Sequence, residues 1–232
     1  MTILCIETST SVCSAAICKD GAPCKQYVSY EGSNHARLLP LYIEQILQYA
    51  RENGLTIDAV GLSEGPGSYT GLRIGTATAK GLCYGLNIPL LPIPTLEVLC
   101  EAARERLTIR DERLAVLIPM IDARRMEVYT SVMAKGEWMN GEGAKAVVVA
   151  NEESIYTGNE DVYYFGDGSA KCATIFTKPN WHYIPDIVPE AQYMGVLGER
   201  LALSGERVNI AYYEPYYLKE FIAAQSHVKG LR

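Results

Sequence analysis

The stretch Gly65-Pro-Gly-Ser-Tyr-Thr-Gly-Leu-Arg-Ile-Gly75 decides the fold that this sequence predicts. An apolar segment, Ala59 to Ser63, runs into the glycine-proline loop, and a helix from about Gly71 to Gly85 follows it. A strand, a tight turn and a helix in this order are typical of an α/β sheet. Because Pro66 fixes one backbone angle and the glycines allow unusual ones, the sequence specifies the geometry of the turn.

The helix after this loop is unusually rich in small residues. Each glycine in a helix interior costs about 1 kcal/mol relative to alanine. Gly71, Gly75 and Ala79 recur every four residues, so one face of the helix is almost bare backbone. A sheet, another helix or another chain can lie against that face.

The same loop can also direct backbone N–H groups at an anion in front of the helix. It is not a P-loop, because Gly67 to Gly71 is too short and Arg73 stands where no P-loop lysine would. A turn needed only for packing is the alternative, and it is favoured. The candidate anion or nucleotide loop consists of Gly65, Pro66, Gly67, Ser68, Tyr69, Thr70 and Arg73.

Composition and charge restrict the possible functions. The chain has 232 residues, 48% of them hydrophobic, which suffices for a full core. Lys and Arg number 21 against 27 Asp and Glu, and the net charge of −6 argues against a protein that grips nucleic acid unaided. The seven cysteines form no C-x-x-C pair, and the sequence shows neither a signal-like start nor a long apolar span. We therefore expect a soluble cytoplasmic protein with no membrane contact.

The order of the predicted elements describes a mixed sheet with helices on its faces. Three strands predict an antiparallel meander, and a helix from Ser33 to about Asn53 follows, with Pro40 inside it. After the glycine-loop helix come a strand and a helix from Thr95 to Arg106. The three strands of the meander are Ile3–Thr8, Val12–Cys18 and Cys24–Tyr30.

The charged run Arg104–Arg113 predicts a domain boundary, with an N-terminal lobe of residues 1–105 and a smaller C-terminal lobe of residues 106–232. Short helices are expected near Glu152 and Ser169, and an amphipathic helix from Glu190 to Leu203 can pack back on the first lobe. The strands expected in the second lobe are Leu114–Pro119, Met126–Met133, Ala144–Ala150 and Val162–Phe165.

Few residues indicate catalysis. His35 has Leu39 where a second metal ligand would stand, so a capping or interface histidine is favoured over a ligand or base. His182 and His227 are isolated. The segment Asp122-Ala-Arg-Arg-Met-Glu127 favours surface ion pairing over acid-base chemistry.

Neither the hydroxyl residues around the glycine loop nor the late tyrosines give a clear sign of chemistry. Ser63, Ser68 and Thr70 lack a G-x-S-x-G context. The tyrosines near the C-terminus can stack on bases, although docking onto a sheet is favoured. These are Tyr212, Tyr213, Tyr216 and Tyr217.

Several motifs together make the chain resemble the TsaB (YeaZ) family over essentially its whole length. The motifs are Ile6-Glu-Thr-Ser-Thr10, His35 with Leu38-Leu-Pro40, the glycine loop, Asp122-Ala-Arg124 with Glu127-Val-Tyr129, Gly166-Asp-Gly168 and Tyr217-Leu-Lys219. The resemblance implies an α/β, ribonuclease H-like fold of the actin, Hsp70 and sugar-kinase type, with two lobes and a reduced second lobe. It also implies a non-catalytic scaffold subunit required for threonylcarbamoylation of adenosine 37 in tRNAs reading ANN codons.

The resemblance further implies the partners and the surface that binds them. We expect a TsaD-like catalytic subunit, a TsaE-like ATPase, tRNA reached indirectly through the complex, and a homodimer when the chain is alone. No catalytic residue, metal or cofactor of its own is expected, and ATP or ADP at the junction between subunits is left open. The expected partner or dimer interface consists of His35, Leu38, Leu39, Tyr42, Gly71, Leu72, Gly75, Thr78 and Ala79.

The chain departs from its catalytic relatives at identifiable positions. Thr95 and Leu99 stand where TsaD-like enzymes carry a metal-binding histidine pair, and leucine cannot bind a metal. Glu7-Thr-Ser-Thr10 replaces the D-x-G-[ST] of nucleotide-binding members, and Lys219 replaces a frequent arginine. These departures disfavour a free-standing enzyme, either a nucleotide-dependent kinase or a glycoprotease-like metallopeptidase. A plain homodimeric structural protein is the third hypothesis, beside the scaffold subunit and the free-standing enzyme.

Overall fold

The first half of the chain forms a five-stranded mixed sheet. The computed structural model describes residues 1–32, 34–107, 115–139, 143–205 and 208–219. The first three strands pair antiparallel, and the last two run parallel to the first, in the order β3-β2-β1-β4-β5. This arrangement confirms the predicted ribonuclease H-like fold of the actin and Hsp70 type. The strands are β1 (Thr2–Glu7), β2 (Cys13–Lys19), β3 (Ala22–Ser29), β4 (Ala59–Gly65) and β5 (Leu90–Pro94).

Helices cover both faces of this sheet, because successive side chains of a strand point to opposite sides. Leu4 and Ile6 of β1 pack against the first two helices, whereas Ile3 and Cys5 pack against Leu197 of the last helix. The helices are α1 (His35–Glu52), α2 (Tyr69–Leu86), α3 (Thr95–Leu107) and α4 (Gly195–Ser204).

A second sheet of seven strands forms in the other half. Its main path is β10-β7-β6-β11-β12, and β8 and β9 extend it from β6. Helix α3 joins the two halves, since Leu99 packs on Leu117 and Phe165 of the second sheet while Val98 belongs to the core of the first. The strands are β6 (Ala115–Asp122), β7 (Glu127–Thr130), β8 (Met133–Ala134), β9 (Glu137–Trp138), β10 (Lys145–Val148), β11 (Asp161–Phe165) and β12 (Trp181–Tyr183).

Several element ends differ from the sequence prediction for local reasons. Helix α2 begins at Tyr69, two residues early, because the Ser68 hydroxyl accepts the N–H of Gly71 at 3.3 Å and caps the helix. Helix α1 begins at His35, and Ser33, its predicted cap, lies outside the described residues. The segment near Ser169, predicted as a helix, forms turns.

The predicted last helix is divided in two, and the predicted domain boundary lies inside a helix. The predicted helix Glu190–Leu203 divides into a 3-10 turn, Ala191–Met194, and helix α4. The predicted boundary at residues 105 and 106 falls in the last turn of α3, and most of the charged run that suggested it lies outside the described residues. Within the part of the chain that the structure describes, no helix combines the length and apolar character needed to cross a bilayer.

Candidate functional site

The glycine-rich side of α2 packs against the chain's own β1–β2 hairpin. A side-chain carbon at Gly67 would collide with the carbonyl of Ser9, and one at Gly71 with the carbonyl of Thr8. The absence of side chains lets the hairpin contact the helix directly. The N–H of Ser68 donates to the Ser9 carbonyl at 2.6 Å, and the Thr8 hydroxyl donates to the Gly71 carbonyl at 2.9 Å. The small residues therefore serve an internal contact.

This packing corrects two thirds of the predicted partner interface. The face that carries Gly75 points inward, because a side chain there would collide with the Thr8 hydroxyl. On α1, the ring Nε2–H of His35 donates to the carbonyl oxygens of Thr10 at 3.0 Å and Val12 at 3.1 Å. A partner cannot reach these positions while the chain is folded. The predicted interface residues that are buried within the chain are His35, Leu39, Gly71, Leu72, Gly75 and Ala79.

The outer face of α2 carries a different row of small residues. Ala77, Gly81 and Gly85 also recur every four residues, and all three are exposed. A side-chain carbon at Gly81 or Gly85 would meet no atom within 4 Å. The row that is free to meet a partner is thus displaced around the helix from the one that the family resemblance implied.

A groove of about 560 Å³ lies beside this row, between α1 and α2. Its lining is largely apolar, with the charged Glu44 and Arg51 among its residues. Of the remaining predicted interface residues, Thr78 lines the groove, and Leu38 and Tyr42 are half-buried on α1. The groove is lined by Pro40, Ile43, Glu44, Leu47, Gln48, Arg51, Thr78, Gly81 and Leu82.

Exposed apolar side chains extend this surface along both helices. Leu41 of α1 is 50% exposed, and Tyr84 near the end of α2 is 82% exposed. We call the groove together with Ala77, Gly81 and Gly85 the α1–α2 face. The four-residue repeat in the sequence contained the signal for its small residues, since Gly81 and Gly85 belong to the same glycine-rich helix.

The glycine loop is partly covered by the chain's own C-terminal segment. The N–H of Tyr216 donates to the Glu64 carbonyl at 2.8 Å, and a side-chain carbon at Gly65 would lie 2.6 Å from the Tyr216 carbonyl. The rings of Tyr217 and Tyr69 are 4.9 Å apart, which agrees with docking of these tyrosines onto the domain.

The backbone at the front of α2 is also partly engaged within the chain. Because the Ser68 amide already binds Ser9, anion binding by this loop remains a prediction. Its predicted residues Thr70 and Arg73 are exposed, and the Arg73 guanidinium donates to the Tyr69 hydroxyl at 2.9 Å.

The polar residues of the first sheet's carboxyl edge are buried. Thr95 is fully buried, and its hydroxyl lies 2.7 Å from that of Ser63; Leu99 lies in the core. Among the described residues, no three His, Cys, Asp or Glu side chains cluster in a way that could hold a metal ion. Burial raises the pKa of Glu7, and the nearby polar groups of Ser63 and Ser9 oppose part of that effect.

The hairpin between β6 and β7 forms ion pairs, although not within its own segment. Asp122 pairs with Lys171, and Glu127 pairs with Lys219. Both Arg124 and Arg125 have left-handed backbone angles, with φ of 71° and 50°. Such angles are uncommon for residues other than glycine, and the sequence pattern gave no sign of this geometry.

Comparison with known proteins identifies the family. Residues 29–153, more than half of the chain, match the family model described as TsaD: tRNA N6-adenosine threonylcarbamoyltransferase. The tRNA threonylcarbamoyladenosine biosynthesis protein TsaB of Haemophilus influenzae is 28% identical over 94% of both chains. Its Escherichia coli counterpart is 27% identical over 96% of both.

A solved structure supports the same assignment. YeaZ from Pseudomonas aeruginosa superimposes with a TM-score of 0.77 and 26% identity, covering 94% of this chain and 99% of that one. Sequence and fold therefore agree over nearly the full length of these relatives. The chain belongs to the family of the TsaD model and, within it, to the TsaB (YeaZ) proteins.

Proposed function

We propose that this chain is a scaffold subunit, without catalysis of its own, that binds a TsaD-like catalytic subunit through the α1–α2 face. The names of its relatives support a role in tRNA threonylcarbamoyladenosine synthesis. The position that we propose for the modification is adenosine 37 of tRNAs reading ANN codons. The observation that carries the docking proposal is the groove of about 560 Å³ beside a row of exposed small residues.

Exposed glycines on a helix call for a physical reason. Each costs about 1 kcal/mol in helix stability relative to alanine, and Gly81 and Gly85 contact nothing in this chain that offsets the cost. Helices pack with their axes 8–10 Å apart, depending on the side chains at the contact. Two glycines allow the close end of this range, and the adjacent apolar groove can accept the side chains of a second helix.

The same face would also form the homodimer that we propose for the isolated chain. A two-fold dimer uses one self-complementary patch on both subunits. If that patch is the α1–α2 face, binding of a TsaD-like subunit and self-association exclude each other. The catalytic subunit would then displace one copy of this chain.

The other partners follow from this arrangement. A TsaE-like ATPase and the tRNA are reached through the complex, in the cytoplasm. We propose no cofactor bound by this chain alone, because the Ser9 carbonyl accepts the Ser68 amide hydrogen at the start of α2. ATP or ADP, where it takes part, binds at the junction between subunits.

A substitution on the outer face tests the docking proposal. Gly81→Arg adds a long side chain to the face and removes a helix glycine, so the monomer should remain folded. The matched control is Gly143→Arg, where a side-chain carbon also meets no atom within 4 Å but lies in the other half of the chain. Light scattering and co-purification with a TsaD-like subunit report assembly.

The expected result is loss of both complexes in Gly81→Arg and retention of both in Gly143→Arg. The threonylcarbamoyladenosine content of tRNA, measured by mass spectrometry with and without each variant, should change in parallel. Normal assembly of Gly81→Arg would place the interface elsewhere. ATP hydrolysis by the isolated, purified chain at appreciable turnover would instead support the free-standing enzyme.

A further inference from the structure

A fully buried glutamate lies beneath the contact between the β1–β2 hairpin and α2. Glu7 ends β1 and is 0% exposed, and its Oε1 accepts the N–H of Ser9 at 2.5 Å. Its Oε2 has no hydrogen-bond partner, and neither has the buried hydroxyl of Ser9. Within the described ranges of the chain, Glu7 forms no ion pair.

Among the described residues no cation pairs with Glu7, and the polar groups of Ser63 and Ser9 offset only part of the effect of burial. The titratable groups that act on it electrostatically are Asp167, from the second sheet, and Cys13 of β2, and both are acids. From β4, the hydroxyl of Ser63 faces it. A buried carboxylate without a cation is strongly disfavoured, whereas the neutral acid gains an O–H that can donate to an acceptor such as the Ser9 hydroxyl.

Glu7 also holds the backbone on which α2 rests. Its carboxyl group fixes Ser9, whose carbonyl accepts the Ser68 amide hydrogen at 2.6 Å. We propose that Glu7 is the neutral acid in the folded protein and that loss of its proton loosens the contact between the hairpin and the start of α2. This proton-linked contact belongs to the isolated chain, so its test does not depend on partner binding.

The direction of the pH effect follows from linkage. The folded chain holds the Glu7 proton more tightly than the unfolded chain, since burial raises the pKa above the usual 4.5. The resulting stabilisation is complete below the unfolded pKa and is lost as the pH rises through the folded pKa. Glutamine at this position imitates the neutral acid at every pH and should remove the effect.

Thermal unfolding of the full chain between pH 4.5 and 8.5 tests the proposal with two variants. The Tm of wild type should fall relative to Glu7→Gln by about 3 °C or more as the pH rises. The control Glu31→Gln changes an exposed glutamate and should follow wild type. Parallel curves for wild type and Glu7→Gln would overturn the proposal.

A second measurement needs no substitution at Glu7 and serves if that variant does not fold. Burial also raises the pKa of Glu64, so carboxyl carbon NMR titration is done on Glu64→Gln. One glutamate resonance should still titrate well above the usual range; if all titrate normally, Glu7 is ionised and the proposal fails.

Amide exchange tests the link between Glu7 and α2. Exchange at Ser68 should be faster in wild type than in Glu7→Gln at pH 8 and equal at pH 5, and equal rates at both pH values would remove the link to α2.

Discussion

Adding one methyl group at Gly75 and, separately, at Gly81 should change the stability of the chain in opposite directions. Both residues lie on α2, so alanine brings the same helix-propensity gain of about 1 kcal/mol at each. At Gly81 the new carbon meets open space. At Gly75 it would collide with the hydroxyl of Thr8 and lie 3.2 Å from Leu62 Cδ1.

The net effect at Gly75 combines three contributions. Overpacking a buried site costs about 1–3 kcal/mol, and loss of the Thr8 hydrogen bond to Gly71 costs about 1 kcal/mol more. After the propensity gain, Gly75→Ala should destabilise the chain by about 1–3 kcal/mol. Gly81→Ala should stabilise it by about 1 kcal/mol, so the two free energies of unfolding differ by about 2–4 kcal/mol.

Urea denaturation of the two variants and wild type measures this difference directly, and thermal unfolding should separate the variants by roughly 5 °C or more. Measurements at low protein concentration keep self-association from contributing. Equal stabilisation by both substitutions would mean that Gly75 faces open space. The inward orientation of its face, and with it the placement of the docking surface on the opposite side, would then be wrong.

Three further substitutions test individual contacts. His35→Ala removes the ring donor to the Val12 carbonyl and leaves a buried acceptor unpaired, so it should lower the free energy of unfolding by about 1–3 kcal/mol. Urea titration measures this change, and an unchanged midpoint would contradict the contact. Arg124→Gly relieves a left-handed backbone angle and should raise that free energy by about 1 kcal/mol, whereas a decrease would reveal a structural role for the arginine. Lys80→Met removes the donor to the Tyr213 carbonyl at 2.9 Å and should speed proteolytic cleavage after residue 208, with wild-type rates as the contrary outcome.

The sequence predicted the elements of the first sheet well, because short apolar runs bounded by turn residues and the glycine-proline loop are local signals. It left open whether a sheet, another helix or another chain lies against the Gly71, Gly75 and Ala79 face of α2, and only the family resemblance assigned that face to a partner. A four-residue repeat shows that a helix has small faces without fixing which one turns inward. That choice depends on the carbonyl groups of Thr8 and Ser9, which are distant in sequence from the residues they contact.

The burial of His35 within the chain was also not predicted. The sequence favoured a capping or interface role, because Leu39 stands where a second metal ligand would be needed. In the structure its ring is buried because one N–H satisfies two hairpin carbonyls. A polar residue that bridges distant backbone groups gives no periodic signal, whereas the apolar rows of the same helix did.

The glycines of α2 fall into two groups, according to whether the chain itself offsets their cost in helix stability. For those facing the hairpin, such as Gly71, the close contacts that they allow offset this cost within the monomer. Gly81 and Gly85 cost about 1 kcal/mol each and gain no contact in the chain alone. A partner that covers them binds only the folded chain, and mass action then adds its binding free energy to the stability of the fold. The helix-propensity cost of Gly81 and Gly85 is not balanced by contacts within the chain. We therefore expect this chain to be more stable in its complex than by itself.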